Sequence, residues 1–182
     1  MSKVLTRVYL SSLLLILLFG CKTKKEIAIV TKEPILEGKI TFQELMQPPF
    51  LEWFSKEQIS YHVDTETLDD LNNNPEKIKA LSVKIFLGTW CEDSQREIPR
   101  FFQIIQYLNL ENKYELIALD RDKKTKNNLE KGMNIHHVPT FIIYQNGKEI
   151  NRIVESPIET LEKDIITILQ HKLGKYIPNY SK

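Results

Sequence analysis

Cysteine is scarce in this chain, with two among 182 residues, and glycine is nearly so, with six. Two cysteines exclude a disulfide scaffold and a four-ligand zinc site. Six glycines without a period exclude a collagen-like chain. A basic excess is lacking too. Lys+Arg number 25 against Asp+Glu 24, so there is no electrostatic footprint for nucleic acid. No apolar run reaches the roughly 20 residues needed to cross a bilayer. What is present is ordinary globular material, 42% hydrophobic and 27% charged, in a length that suits one domain plus a tether.

The longest apolar run, Val8 to Phe19, is about a dozen residues and follows a basic head of Lys3 and Arg7. That is the length of a secretory signal core. It ends Leu18-Phe19-Gly20-Cys21, with Lys-Thr-Lys-Lys-Glu directly after. This resembles a lipobox, the site at which bacterial lipoproteins are cleaved before a cysteine. The resemblance implies that residues 1–20 are a signal peptide and that Cys21 carries the lipid. Two or more acyl chains anchor stably where one does not. The mature chain would lose Lys3 and Arg7, giving (25 − 2) − 24 = −1. It would be held at a bacterial membrane in the cell envelope, with its domain in the periplasm, an oxidising compartment.

Residues 21–40 read as a linker, with Ile-Ala-Ile-Val a candidate short strand, and the domain is expected to fill 41–182. Thr41 and Glu44 have capping-box spacing, so a helix is expected there, interrupted by Pro48-Pro49. Pro49 to Phe54 forms an aromatic knot expected to pack on the body. Asp64 or Thr65 should cap a helix that ends near Asn72-Asn73-Asn74-Pro75. Together these form a helical extension ahead of the main domain.

From residue 81 the pattern is cleaner. Leu81–Leu87 is β-branched and apolar, which predicts a buried strand. Gly88-Thr89-Trp90-Cys91 is a loop opening a helix with Ile98, Phe101, Phe102, Ile105 and Leu108 on one face. Tyr114–Leu119 and Val138–Tyr144 are further strands, and Thr125–Lys131 a short polar helix between them. Asn146-Gly147 is a hairpin signal, returning through Glu149–Val154. A closing helix from Ile158 to about Leu173 should turn Ile158, Leu161, Ile165, Ile168 and Leu169 inward. The tail Tyr176–Tyr180 is expected to pack on the body. The order implies an α/β fold with a mixed central sheet and helices on both faces.

Trp90-Cys91-Glu92-Asp93-Ser94 at a strand-to-helix junction, with Val138-Pro139-Thr140-Phe141 further on, resembles the active-site motifs of the thioredoxin family. The likeness covers about residues 80–172. It implies a thioredoxin-like fold, a cis-proline at Pro139 facing Cys91, and thiol–disulfide exchange or disulfide isomerisation. On that reading Cys91 is the nucleophile and Ser94 a polar neighbour that tunes it. Trp90 and Pro139 shape a substrate site, where Val138 offers its backbone to an extended substrate. The physics runs the same way: unpaired N–H groups at a helix start favour a thiolate, and the thiolate is the attacking species.

The sequence departs from the family in three ways. Ser94 stands where dithiol members have a second cysteine, so Cys91 could form only a mixed disulfide, resolved by another thiol. Ile85 stands where those members carry a buried carboxylate. Glu92 and Asp93 place negative charge beside the sulfur, with Arg96 and Arg100 on the same helix to offset it. The peroxiredoxin loop and the Cys-Gly-Phe-Ser of cluster-binding monothiol glutaredoxins are both absent. No cofactor and no metal are therefore expected, and the adjacent His136-His137 reads as a loop pair. The partners expected are thiols or disulfides of exported proteins or small molecules, and the membrane through Cys21, not nucleic acid. Two functions remain open on the residues: thiol chemistry at Cys91, or a redox-inactive module that binds an extended peptide or partner protein along Val138.

Overall fold

The computed structural model describes residues 34–170, which lie in the second of two compact units, 33–182. The expected signal peptide, Cys21, the Ile-Ala-Ile-Val stretch, residues 171–173 of the closing helix and the tail lie outside the described residues.

The elements run β1 (Gly38–Ile40), α1 (Phe42–Leu45), α2 (Leu51–Ser60), α3 (Thr65–Asn72), α4 (Pro75–Lys79), β2 (Leu81–Leu87), α5 (Glu92–Tyr107), β3 (Tyr114–Ala118), β4 (Thr140–Gln145), β5 (Lys148–Val154) and α6 (Leu161–Gln170). They build one five-stranded sheet in the order β1-β3-β2-β4-β5. β2 pairs parallel with β3 and antiparallel with β4, and β1–β3 and β4–β5 are antiparallel. The α/β thioredoxin-like expectation holds.

β2 is central and its alternation sorts the two faces. Val83, Ile85 and Leu87 join the main core with Leu116 and Phe141, and against them pack Ile98, Phe101, Phe102, Ile104 and Ile105 of α5 and Leu161, Ile165 and Ile168 of α6. Burial of each such side chain is worth about 1.5–3 kcal/mol, so this face carries most of the stability. Phe86, Ile117 and Ile142 look the other way, where Trp90, Cys91, Met133 and Ile135 cover them.

The covering of that second face corrects one expectation. Thr125–Lys131 is not a helix but a series of turns. Glu130 takes both the N–H and the hydroxyl of Thr125, at 3.1 and 2.8 Å, and Asn128 sits at φ +54°. The Leu129 N–H, which a helix would give to the Thr125 carbonyl, donates instead to the Thr125 hydroxyl oxygen at 2.8 Å, so a side chain captures a donor that a helix would have used. Loop side chains close this side of the sheet, so the expected placing of helices on both faces is corrected: the apolar faces of the described helices pack into the main core on the other side.

Other corrections are local. The linker does not run to residue 40, because Gly38–Ile40 pairs with Leu116–Ala118 as a strand of the sheet. Glu115 ties three strands together, meeting Lys39 of β1 at 3.0 Å and Lys84 of β2 at 3.3 Å. Burial would raise its carboxyl, but the two lysines outweigh burial and hold it below the ordinary range. The aromatic knot extends into helix α2, whose Phe54 is fully buried. Pro75 does not simply end α3; it opens α4 at the first helical turn, where its missing N–H costs nothing. Ile158 does not face inward and is 60% exposed, since α6 begins only at Leu161.

The expected punctuation is in place elsewhere. The Thr41 N–H and hydroxyl both donate to Glu44, at 2.7 and 2.8 Å. Asp64 caps α3 by accepting the Thr67 N–H at 3.1 Å. Asn146 and Gly147 both adopt positive φ, +53° and +75°, as the tightest hairpin turn requires.

Candidate active site

Cys91 is the N-cap of α5, placed there because buried β2 ends at Leu87 and the chain needs only a short loop to enter the helix. Its N–H donates to the Gly88 carbonyl at 2.9 Å, and its carbonyl receives the Gln95 N–H at 2.9 Å. The residue is half-buried and its thiol is free. The sulfur donates to the Val138 carbonyl at 3.2 Å, across 47 residues of sequence. The Val138–Pro139 bond is cis. Cys91, Val138 and Pro139 therefore meet at one place. The structure also modifies the expectation for Val138. Its side chain is buried on the second face of the sheet, β4 starts only at Thr140, and its carbonyl is already turned to the thiol.

Trp90 forms a wall beside the sulfur. Its indole N–H donates to the Leu119 carbonyl at 2.9 Å, and its ring lies so close over Gly88 that a Cβ there would sit 2.7 Å from Cε2. Glycine is needed at position 88 for that approach. The Arg121 guanidinium covers the ring, its carbon 5.4 Å from the centroid. Nothing in the local sequence signals this contact. In the same turn Asp120 accepts the N–H groups of Asp122 and Lys124 at 2.9 Å each.

Ser94 lies elsewhere than the sequence suggested. It is fully buried, and its hydroxyl oxygen accepts the Gly88 N–H at 3.1 Å. The hydrogen bond falls on the loop backbone and not on the Cys91 sulfur. Ile85, on the family's carboxylate position, is fully buried within the apolar core.

The charges near the helix start divide. Asp93 is engaged by Arg96 at 2.7 Å, while Glu92 is exposed. Arg96 also reaches Ser156 and Glu97, each at 2.7 Å. Arg100 turns away from the site, pairing with Glu57 of α2 at 2.6 Å and lying over the Tyr61 ring. Glu97 was not singled out from sequence. It is 2% exposed, held through Oε1 by Arg96, and its Oε2 has no hydrogen-bond partner among the described residues. A glutamate between two arginines on a helix reads as a solvated face; only the packing of α5 shows it buried. His137 pairs with Glu155 at 3.0 Å, as befits a loop histidine. Among the described residues no group of three or more His, Cys, Asp or Glu side chains could hold a metal ion.

One side of the cysteine loop is extended by the N-terminal elements. Thr89 accepts the Leu36 N–H at 3.2 Å, and Gln95 donates to the Thr89 carbonyl at 2.8 Å. A cleft of about 370 Å³ opens here between Thr89, Gln95, Phe50 and Trp53.

The thioredoxin family pattern matches residues 61–167, more than half of the chain. The chain belongs to the thioredoxin family. Within this thioredoxin-family protein, β1, α1 and α2 precede the matched region. The chain is 32% identical over 85 residues to Thioredoxin-1 of Schizosaccharomyces pombe, covering 47% of this chain and 78% of that protein. It is 29% identical over 120 residues to the TPR repeat-containing thioredoxin TDX of Arabidopsis thaliana, covering 65% of this chain. It spans only 29% of the length of TDX. Among solved structures, Fasciola hepatica thioredoxin aligns at TM-score 0.37 and 20% identity, covering 58% of this chain and 91% of that one. A protein of unknown function from Pseudomonas aeruginosa aligns at TM-score 0.49 and 13% identity, covering 74% and 90%. No helix among the described residues is long and apolar enough to cross a membrane.

Proposed function

We propose that this thioredoxin-family domain carries out monothiol disulfide exchange through Cys91, on exported proteins or small thiols. The observation that carries the reading is the half-buried Cys91 sulfur at the mouth of α5, 3.2 Å from the Val138 carbonyl beside Pro139. In the forward step the Cys91 thiolate attacks one sulfur of a substrate disulfide. A sulfur–sulfur bond forms to Cys91, the substrate bond breaks, and the second substrate sulfur leaves as a thiolate. No net oxidation occurs. A thiol of the same substrate then attacks the mixed disulfide and frees Cys91, which amounts to isomerisation. Reduction takes two small thiols, the first releasing the substrate as a thiolate by forming a disulfide with Cys91, the second freeing Cys91 as the small-molecule disulfide leaves. Because Ser94 holds no sulfur and is bonded to Gly88, resolution comes from outside the chain. Trp90 walls the approach, and Pro139 and the Val138 backbone line it.

We further propose that the domain is tethered to a bacterial membrane in the cell envelope by lipid on Cys21, after removal of residues 1–20. The Gly20-Cys21 junction behind a short apolar run supports this. The mass of the mature N-terminus tests it. A lipid-modified Cys21 is expected, and a Cys21→Ser chain that still sediments with membranes would count against it.

The exchange reading is tested by trapping. Mixed disulfides isolated from cells should map to Cys91 in the wild type and vanish in Cys91→Ala. An empty trap in the wild type would sink the reading. A second reading is a redox-inactive module that binds an extended peptide. It is favoured by Ile85 and by the commitment of the Ser94 oxygen to Gly88, which leave the sulfur without the polar neighbours that dithiol relatives use. Partners retained equally by wild type and Cys91→Ala would establish it.

A further inference from the structure

We infer that Arg121, stacked on Trp90, makes the Cys91 site selective for peptide disulfides with a carboxylate beside the reacting cysteine. The inference rests on the exchange reading and names its substrate class.

Four arginines lie among the described residues, and three of them hold carboxylates. Arg96 holds Asp93 and Glu97, Arg100 holds Glu57, and Arg152 holds Glu149. Arg121 is placed differently. Its guanidinium lies over the face of Trp90, and no carboxylate of the described residues pairs with it in an ion pair. The acid just before it, Asp120, has its Oδ1 committed to the backbone of its own turn. A guanidinium stacked on a ring keeps its in-plane N–H donors available, and their fork matches a carboxylate.

The platform is fixed in position. Trp90 is clamped at its edge by the Leu119 carbonyl and backed by Gly88. Leu119 and Arg121 are two residues apart, so one stretch of chain sets both the ring's edge and the cation on its face. Cys91 follows Trp90 directly, and both side chains rest on the same apolar cluster beneath. A peptide whose sulfur reaches Cys91 must pass this wall, which offers the cation to a residue flanking its cysteine. Exposed Glu92 works against anions at the same mouth, so Arg121 decides whether an acidic flank is tolerated. An exposed pair of this kind is worth about threefold to fivefold in rate, and salt should weaken it.

The experiment compares two short cysteine peptides, with Asp or Asn next to the cysteine, each linked to the same neutral thiopyridyl leaving group. Thiopyridone release reports attack by Cys91. The Asp-to-Asn rate ratio of the wild type should fall about threefold to fivefold in Arg121→Gln, with the Asn peptide unaffected. Arg121→Lys should keep part of the ratio, and high salt should bring the wild type down to the Arg121→Gln value. An equal ratio in wild type and Arg121→Gln overturns the inference. So does equal slowing of both peptides, which would make Arg121 a mere support for the indole. A wild-type thiol inert to both peptides overturns the exchange reading and this inference with it.

Discussion

The Ser94 hydroxyl oxygen accepts the backbone N–H of Gly88 at 3.1 Å, closing the cysteine loop from within the first turn of the helix that follows it. Both residues are buried. The side chain that replaces a second sulfur therefore secures the loop that presents the first one. Ser94→Ala leaves that N–H without a partner, and an unsatisfied buried donor costs about 1–3 kcal/mol. The urea midpoint should fall accordingly, with a smaller effect on the rate at which Cys91 attacks a neutral disulfide. Undiminished stability with a slowed thiol would return the hydroxyl to the role the sequence suggested, as a neighbour of the sulfur.

Gly88 is also the floor under Trp90. A methyl group there would lie 2.7 Å from Cε2 and 2.9 Å from the ring nitrogen, and the indole cannot swing clear without losing its bond to Leu119. Gly88→Ala should therefore cost about 1–3 kcal/mol through overpacking. It should change the Trp90 fluorescence, measured in a Trp53→Phe background, and abolish the charge preference assigned to Arg121. Spectra and stability that match the parent would show that the wall has more room than its geometry implies.

Alkaline pH probes a different part of the domain. Burial raises the Tyr61 phenol well above its ordinary value, and its hydrogen bond to Glu162, at 2.6 Å, adds to this. The folded chain thus keeps a proton that the unfolded chain releases above about pH 10. The unfolded state then binds fewer protons, so stability is fully present below about pH 10 and declines as pH rises beyond it. Tyr107, Tyr114 and Tyr144 are raised too and add to the slope. Tyr61→Phe should be less stable at neutral pH, because Glu162 loses a donor, yet should lose stability more gradually above pH 10. Unfolding midpoints followed from neutral to alkaline pH check this. Parallel curves for the two chains would show that Tyr61 does not contribute.

By itself the amino-acid sequence determined the features that depend on local chemistry. β2 is legible from five β-branched or apolar residues among the seven of Leu81–Leu87. The inward face of α5 is legible from its three-and-four spacing, and the hairpin from Asn146-Gly147, whose two positive φ values few other pairs tolerate. Cys91 at a helix start, with Pro139 much further along, was legible as a motif pair. Only the tertiary structure decided where the side chains of that motif spend their hydrogen bonds. Ser94 is turned to Gly88, the Val138 carbonyl to the sulfur, and Arg121 to the face of Trp90. It also decided that Glu97 is buried and that Thr125–Lys131 winds into turns. These outcomes depend on which groups meet across tens of residues, and on whether a side-chain acceptor captures a donor before the backbone does. Spacing along one chain records periodicity, not such competition.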